Sequence, residues 1–315
     1  MQKRVYSLAK KRAVFEVLGL GVIAAISFAQ RELIIESLRA IGSSNLYFVL
    51  LSVAVFWLSL PLTAMSYQQL TKNKIPMLTT TLAQLTGSGP GRIIPGGFGR
   101  LGLIVIHLHK VGISTQVGIV ASVMNGVFGF TVNSVLFWLL VLRHPDITSH
   151  FSYGTGVVTI LLVVIPIFVL FGLYELLLRS KRGKKPMKKL SKEWRAQIRL
   201  LTAEPMRITK LIAVALAILG ANVAILMLCA RASEVSLPIN EAIIALSIGV
   251  FVGGILPTPG GLGGVEAGTA SALIAFGNDP TVSTSVALLF RMTTYWQPLI
   301  PGTIAYLYLR EKKLI

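Results

Sequence analysis

Apolar residues along this chain gather into long blocks. Six of them, near 13–30, 46–67, 113–142, 154–178, 208–230 and 282–309, approach or exceed the roughly 20 residues a helix needs to cross a hydrocarbon core of about 30 Å. Two further apolar regions, 77–110 and 239–277, are long but interrupted in the middle. The pattern predicts six spanning helices and two broken segments; in the sixth span Tyr295, Trp296 and Gln297 with Pro298 and Pro301 fit either a kink lining a cavity or simple packing.

The interruptions are alike. Residues 87–102 read GSGPGRIIPGGFGRLG and residues 253–268 read GGILPTPGGLGGVEAG, each with seven glycines and two prolines. Together they hold 14 of the 29 glycines. No continuous helix tolerates such a run, because proline removes a hydrogen bond and glycine costs backbone entropy. Free backbone groups at membrane depth survive only inside protein or against a watery cavity. Both windows therefore read as loops between half-helices within a bundle.

Pro95-Gly96-Gly97-Phe98-Gly99 matches Pro259-Gly260-Gly261-Leu262-Gly263 at an offset of 164 residues, and the same offset carries the middle of the second span onto the fifth. The third span maps onto the sixth, and the first onto the fourth if residues 179–207 are an insertion. Each half then reads span, span, broken hairpin, span. The expected fold is an all-α polytopic membrane protein, with six spanning helices plus two re-entrant helical hairpins in an inverted-topology repeat. A single integral membrane domain is expected over 1–315, with 1–142 as the first repeat and 154–178 plus 208–309 as the second.

Composition agrees. The chain has 315 residues, 54% hydrophobic and 13% charged, with a mean hydropathy of +0.74. A water-soluble enzyme, a disordered protein and a coiled coil are disfavoured on these figures. The net charge is nevertheless +18. Of the 30 Lys and Arg, 23 fall in the N-terminal segment, the loop after the second span, Lys110, the stretch 179–210 and the C-terminal tail. Positive-inside sorting places these, and both termini, in the cytoplasm of a cell-membrane protein. The first hairpin would then enter from the cytoplasm and the second from outside.

The basic stretch 179–207 admits two readings: a set of topology determinants, or, with Leu190, Trp194, Ile198 and Leu201 at helical spacing, an amphipathic helix on anionic lipid. No nucleic-acid motif accompanies the charge. The first span also fits a signal peptide ending near Ser27-Phe28-Ala29, but its loss would leave the fourth span without a counterpart, so retention is expected. Cys229 lies in an apolar run and reads as an inert thiol.

Charges at bilayer depth point to function by default. The candidates are Arg92, Arg100, Glu266 and Arg291. Glu266 opens the half-helix after the second turn, where the macrodipole favours an acid, and pairing with Arg291 would lower the cost of burying both. Arg92 and Arg100 bracket the first turn with no acid in the window. Two guanidiniums beside backbone N–H groups suit a phosphate. The expected substrate site comprises Arg92, Pro95, Gly96, Gly97, Gly99, Arg100, Pro257, Pro259, Gly260, Gly261, Gly263, Gly264, Glu266 and Arg291. His107 and His109 face different sides of a helix, which is poor for one metal, and read as the solvated end of a half-helix. No Gly-Lys-Ser/Thr follows the glycines, so neither a nucleotide loop nor a cofactor is expected.

The stretch LPTPGGLGGVEAG (256–268), followed by VALLFRMTTYWQPLIPG (286–302), resembles the transmembrane domain of lysylphosphatidylglycerol synthases, the MprF-type flippase domain, and the stand-alone membrane proteins of that family. Pro95 to Ser114, with Gly112-Ile113-Ser114 opening the third span, resembles the family's first turn more loosely. Many relatives carry an acid after the last glycine of that turn, where this chain has Arg100. The resemblance implies a flippase-like fold that moves lipid head groups. It does not imply aminoacyl transfer, whose domain follows the membrane part in the synthases; this chain ends five residues after Arg310, and no enzyme activity is expected of it. The expected function is movement of a lipid with an anionic head group. A carrier for a small anionic solute, or a scaffold with a basic cytoplasmic loop, are the alternatives. A membrane lipid is the expected partner, and both monomer and homo-oligomer stay open.

Overall fold

The structure, a computed structural model, describes residues 44–92, 97–143, 184–256 and 258–315, together with Ile35, Arg39, Ala40 and Gly42. The first and fourth expected spans lie outside the described residues, as do Pro95, Gly96 and Pro257 of the expected site.

The described elements are helical. Helix α1 (Leu46–Leu70) is followed by α2 (Met77–Thr86), a 3-10 turn (Pro90–Arg92), α3 (Phe98–Lys110) and α4 (Thr115–Arg143). A polar helix, α5 (Lys184–Ala203), leads into α6 (Pro205–Ala232). Then come α7 (Ile239–Ile255), a second 3-10 turn (Pro259–Gly261) and α8 (Gly264–Ala275). The chain closes with α9 (Pro280–Arg291), a π turn (Met292–Trp296) and α10 (Leu299–Glu311).

Among the described residues α1, α4 and α6 are long and apolar enough to cross a membrane. Their 25, 29 and 28 residues give roughly 38–44 Å of helix, more than a bilayer core requires. Much of their apolar surface points outward. Leu58 is 78% exposed and Leu142 76%, as is Ile300 on α10 at 71%. Such surface is stable against lipid and not against water. The protein is an all-α, multi-pass membrane protein.

The Asn45 side chain accepts from the Tyr47 N–H at 3.0 Å and caps α1, while the Asn45 N–H donates to the Ala232 carbonyl at 2.9 Å. The start of α1 is thereby pinned to the end of α6, and the two helices pack along their length. One apolar cluster joins α6 to α9 through Leu226, Leu246, Leu273 and Leu289. Another joins α1, α3, α6 and α10 through Leu70, Leu108, Leu211 and Leu309.

Helices α7 and α8 form a tight pair around the second turn, and glycine spacing explains how. Gly249 and Gly253 lie four apart on α7, and Gly264 and Gly268 four apart on α8. A Cβ on Gly268 would come within 3.0 Å of the Gly249 Cα, and one on Gly264 within 2.9 Å of the Gly253 Cα. Small residues at this spacing let backbones approach where lipid offers no hydrophobic drive between helices.

One expectation is corrected and two gain detail. The sixth span is interrupted where Pro298 and Pro301 lack the N–H groups that would continue the ladder, passing from α9 through the π turn into α10. His107 is not solvated; its ring is buried, 3.3 Å from the Thr80 hydroxyl and 3.1 Å from the Leu314 carbonyl, while His109 is exposed. The basic stretch forms a helix, α5, that buries Gln197, Leu200 and Leu201 with Leu190 packed beside them, while Trp194 and Ile198 stay exposed.

Gly253→Ala is expected to cost about 1–3 kcal/mol, since its methyl would drive into Val265. Gly254→Ala, with nothing within 4 Å of its Cβ, is expected to be neutral or slightly stabilising. Thermal unfolding in detergent distinguishes them.

Candidate functional site

The second turn is set by backbone that only glycine adopts easily. Gly260, Gly261 and Gly263 have φ of +65°, +69° and +82°. A Cβ on Gly260 would lie 2.5 Å from the Tyr295 ring, so this glycine gives both the turn and the seat for that ring. The Tyr295 hydroxyl donates to the Pro259 carbonyl at 3.2 Å. Arg291, at the end of α9, donates through Nε to Glu266 Oε1 at 2.8 Å and through Nη2 to the Gly260 carbonyl at 3.0 Å. Both partners are more than 90% buried. A charge buried this deeply needs its partner, and removing either would strand the other.

The first turn is fastened to the same place. Arg92 donates to the Thr294 and Tyr295 carbonyls, both at 2.8 Å. Its Cζ lies 4.1 Å from the Tyr295 ring centroid, and that of Arg291 4.4 Å from the same centroid, both within cation–π range. The Thr294 carbonyl would bond the N–H of residue 298 in a regular helix, but that residue is Pro298. Arg92 supplies the missing donor from the opposite half of the sequence. Tyr295 thus touches both turns at once.

Arg100 differs. It sits in the first turn of α3, over Gly87, and Nε and Nη2 donate to Gln84 Oε1 at 3.3 and 3.1 Å. No acid among the described residues forms an ion pair with it. Its side chain stays exposed and lines a cavity of about 390 Å³ that Arg291 also lines. Polar groups of the wall include Ser66, Thr294, Asn125, Asn133 and Asn222; Phe128, Leu211 and Leu246 supply apolar wall.

Arg100, Arg291 and Glu266 therefore gather at or beside this cavity, whereas Arg92 is turned to the π turn and does not line it. The glycines act through the backbone. Gly97 and Gly263 cap α3 and α8, Gly99 packs on the Gly91 carbonyl, and Gly261 and Gly264 pack on Gly253. Pro259 contributes its carbonyl. Sequence reading missed the three asparagines. The available signal was amide side chains inside otherwise apolar spans, with Asn125, Gly129 and Asn133 four apart on one face of α4.

Paired short helices broken at glycine turns, converging with one buried and one exposed guanidinium on a cavity among long apolar helices, define a polytopic membrane protein with a cationic polar site. The chain belongs to the family described as Lysylphosphatidylglycerol synthase TM region, which it matches over residues 15–302. A comparison with curated proteins gives no match.

Arg92→Ala is expected to lower stability, since each orphaned carbonyl costs about 1–3 kcal/mol. Pro298→Ala restores a helical N–H for the Thr294 carbonyl, so it should recover part of that loss in the double variant. A double-mutant cycle on thermal unfolding measures the coupling; strict additivity would sink the assignment.

Proposed function

We propose that this protein moves a lipid with an anionic head group across the cell membrane. In this reading the two glycine-broken helix pairs are re-entrant hairpins of an inverted-topology repeat with six spanning helices, and both termini face the cytoplasm. The head group enters the cavity between α4, α6 and the two turns while the acyl chains stay in lipid. The role is transport, without a chemical change to the lipid.

The observation that carries this reading is Arg100. It is a guanidinium on a cavity wall, held by a neutral amide and not by an acid. Exposed to the cavity and uncompensated by an acid, this guanidinium is free to pair with an arriving anion. A lipid phosphate fits, because a guanidinium can grip two of its oxygens. Arg291 stands on the same wall, paired with Glu266, and adds positive potential. The mixed lining favours a lipid over a small soluble anion, since Phe128, Leu211 and Leu246 offer nothing to a fully hydrated ion. About 390 Å³ accommodates a head group and not a whole lipid.

The test is translocation of acyl-labelled phosphatidylglycerol in proteoliposomes, read by dithionite quenching of the exposed leaflet. Arg100→Gln is expected to slow it about 10- to 100-fold, the loss of one charge-assisted hydrogen-bonded contact. Wild-type rates in Arg100→Gln would remove that residue from the site. Arg291→Ala is also expected to abolish movement, with a loss of stability because it strands Glu266 and the Gly260 carbonyl.

A further inference from the structure

Helix α5 has three faces, and the fold uses one of them. Gln197, Leu200 and Leu201 are buried, and Leu190 packs beside them against the cluster that holds Leu70, Leu211 and Leu309. Glu204, with φ of −125° and ψ of 77°, breaks the helix, and Pro205 opens α6. Arg207 fixes this elbow: it pairs with Glu204 at 2.7 Å and donates to the Gln69 and Thr71 carbonyls at 3.0 and 3.1 Å. The basic helix is therefore held in one orientation against the end of the bundle.

The other two faces are open. Lys189, Lys192, Arg195 and Arg199 recur at helical spacing and are all exposed. None of them forms an ion pair among the described residues, and the one acid in this stretch, Glu193, is half-buried. Trp194 and Ile198, four apart, lie on the flank between this basic stripe and the buried one, 36% and 44% exposed. The level of the helix is also set. α6 has 28 residues, roughly 12 Å more than a hydrocarbon core requires, so its first turn and the elbow stand at head-group depth. Exposed Met206 and exposed Lys210 share that turn, an apolar side chain beside a basic one.

We propose that the open faces of α5 dock on the anionic surface of the bilayer, with Trp194 and Ile198 at the acyl boundary and Lys189, Lys192, Arg195 and Arg199 among the lipid phosphates. An indole beside an aliphatic side chain is poorly placed in water and well placed at that boundary. Cations without acids are drawn to a negative surface, and each adds roughly fivefold to the docked population. A soluble acidic protein would meet the same cations, but it would have to cover the helix inside a head-group layer that lipid already fills. This surface is separate from the cavity and does not depend on what the cavity carries.

The full chain in nanodiscs tests the proposal. The Trp194 signal is the fluorescence difference between the unmodified chain and Trp194→Phe. It is measured in phosphatidylcholine alone and with phosphatidylglycerol or phosphatidylserine added, against acrylamide in the water and a lipid spin-labelled near its head group. In both anionic bilayers acrylamide quenching is expected to fall at least about threefold and quenching by the labelled lipid to rise. Salt at about 1 M, where the Debye length is about 3 Å, should reverse most of that change. Combining Lys192→Gln, Arg195→Gln and Arg199→Gln should remove the dependence on anionic lipid. If that variant fails to fold, the salt series on the unmodified chain asks the same question. Equal quenching in neutral and anionic bilayers would overturn the proposal. So would a response to phosphatidylglycerol without one to phosphatidylserine, which would mark a single head group and not surface charge. Trp194 fully open to acrylamide in every bilayer would overturn it and leave the basic face to a soluble partner.

Discussion

A backbone carbonyl inside a bilayer has no water to turn to, and the arrangement of this site follows from that constraint. Each glycine break and each proline frees backbone groups that must find partners within the protein. Pro298 leaves the Thr294 carbonyl without its helical donor, and Arg92 provides one from the first turn. The Gly260 carbonyl, freed by the second turn, is taken by Arg291. The Pro259 carbonyl is taken by Tyr295. Charged and aromatic side chains do here what solvent does at the surface of a soluble protein. In doing so they tie two turns, far apart in sequence, to one π turn.

This use of charge divides the ions of the site into two kinds. Arg92 and the Arg291–Glu266 pair are committed to backbone and to each other, and their positions depend on those bonds. Arg100 is held by a neutral glutamine, so its charge is available to the cavity. Truncating Arg92 and truncating Arg100 are therefore different experiments, one on the fold and one on the wall, although both are arginines flanking the same glycine turn. The Arg291 side chain belongs to both kinds, since it lines the cavity while bonded to Glu266.

Much of this was legible in the sequence because it depends on local pattern. The glycine windows announced the breaks, the blocks of apolar residues announced α1, α4 and α6, and an acid at the start of α8 announced a partner for Arg291. What was not legible depends on proximity between distant residues. That Arg92 meets a carbonyl freed by Pro298 requires two segments separated by about two hundred positions to touch, and no spacing rule supplies that. The prolines of the sixth span marked a kink, but the π turn that precedes them left no local signal. His107 looked solvated because it stands beside His109 and Lys110, yet the C-terminal segment folds over it. The asparagines escaped notice because an amide lacks the charge that marks an intramembrane residue as suspect, though each hydrogen bond it leaves unmade still costs about 1–3 kcal/mol.

The hub also limits how the two turns can move. Tyr295 contacts the first turn through Arg92 and the second through Pro259, Gly260 and Arg291. Any rearrangement that parts the turns must break one of these sets. An arriving phosphate can replace the partners of Arg291, because it accepts hydrogen bonds as Glu266 and the Gly260 carbonyl do. It cannot replace Arg92, because the Thr294 and Tyr295 carbonyls require a donor. The bonds to the first turn are therefore the ones a phosphate cannot exchange, and the contact it can loosen lies between the π turn and the second turn. If the halves alternate around an anionic ligand, the seam that opens is the one between Arg291 and α8, with the first turn travelling alongside the π turn.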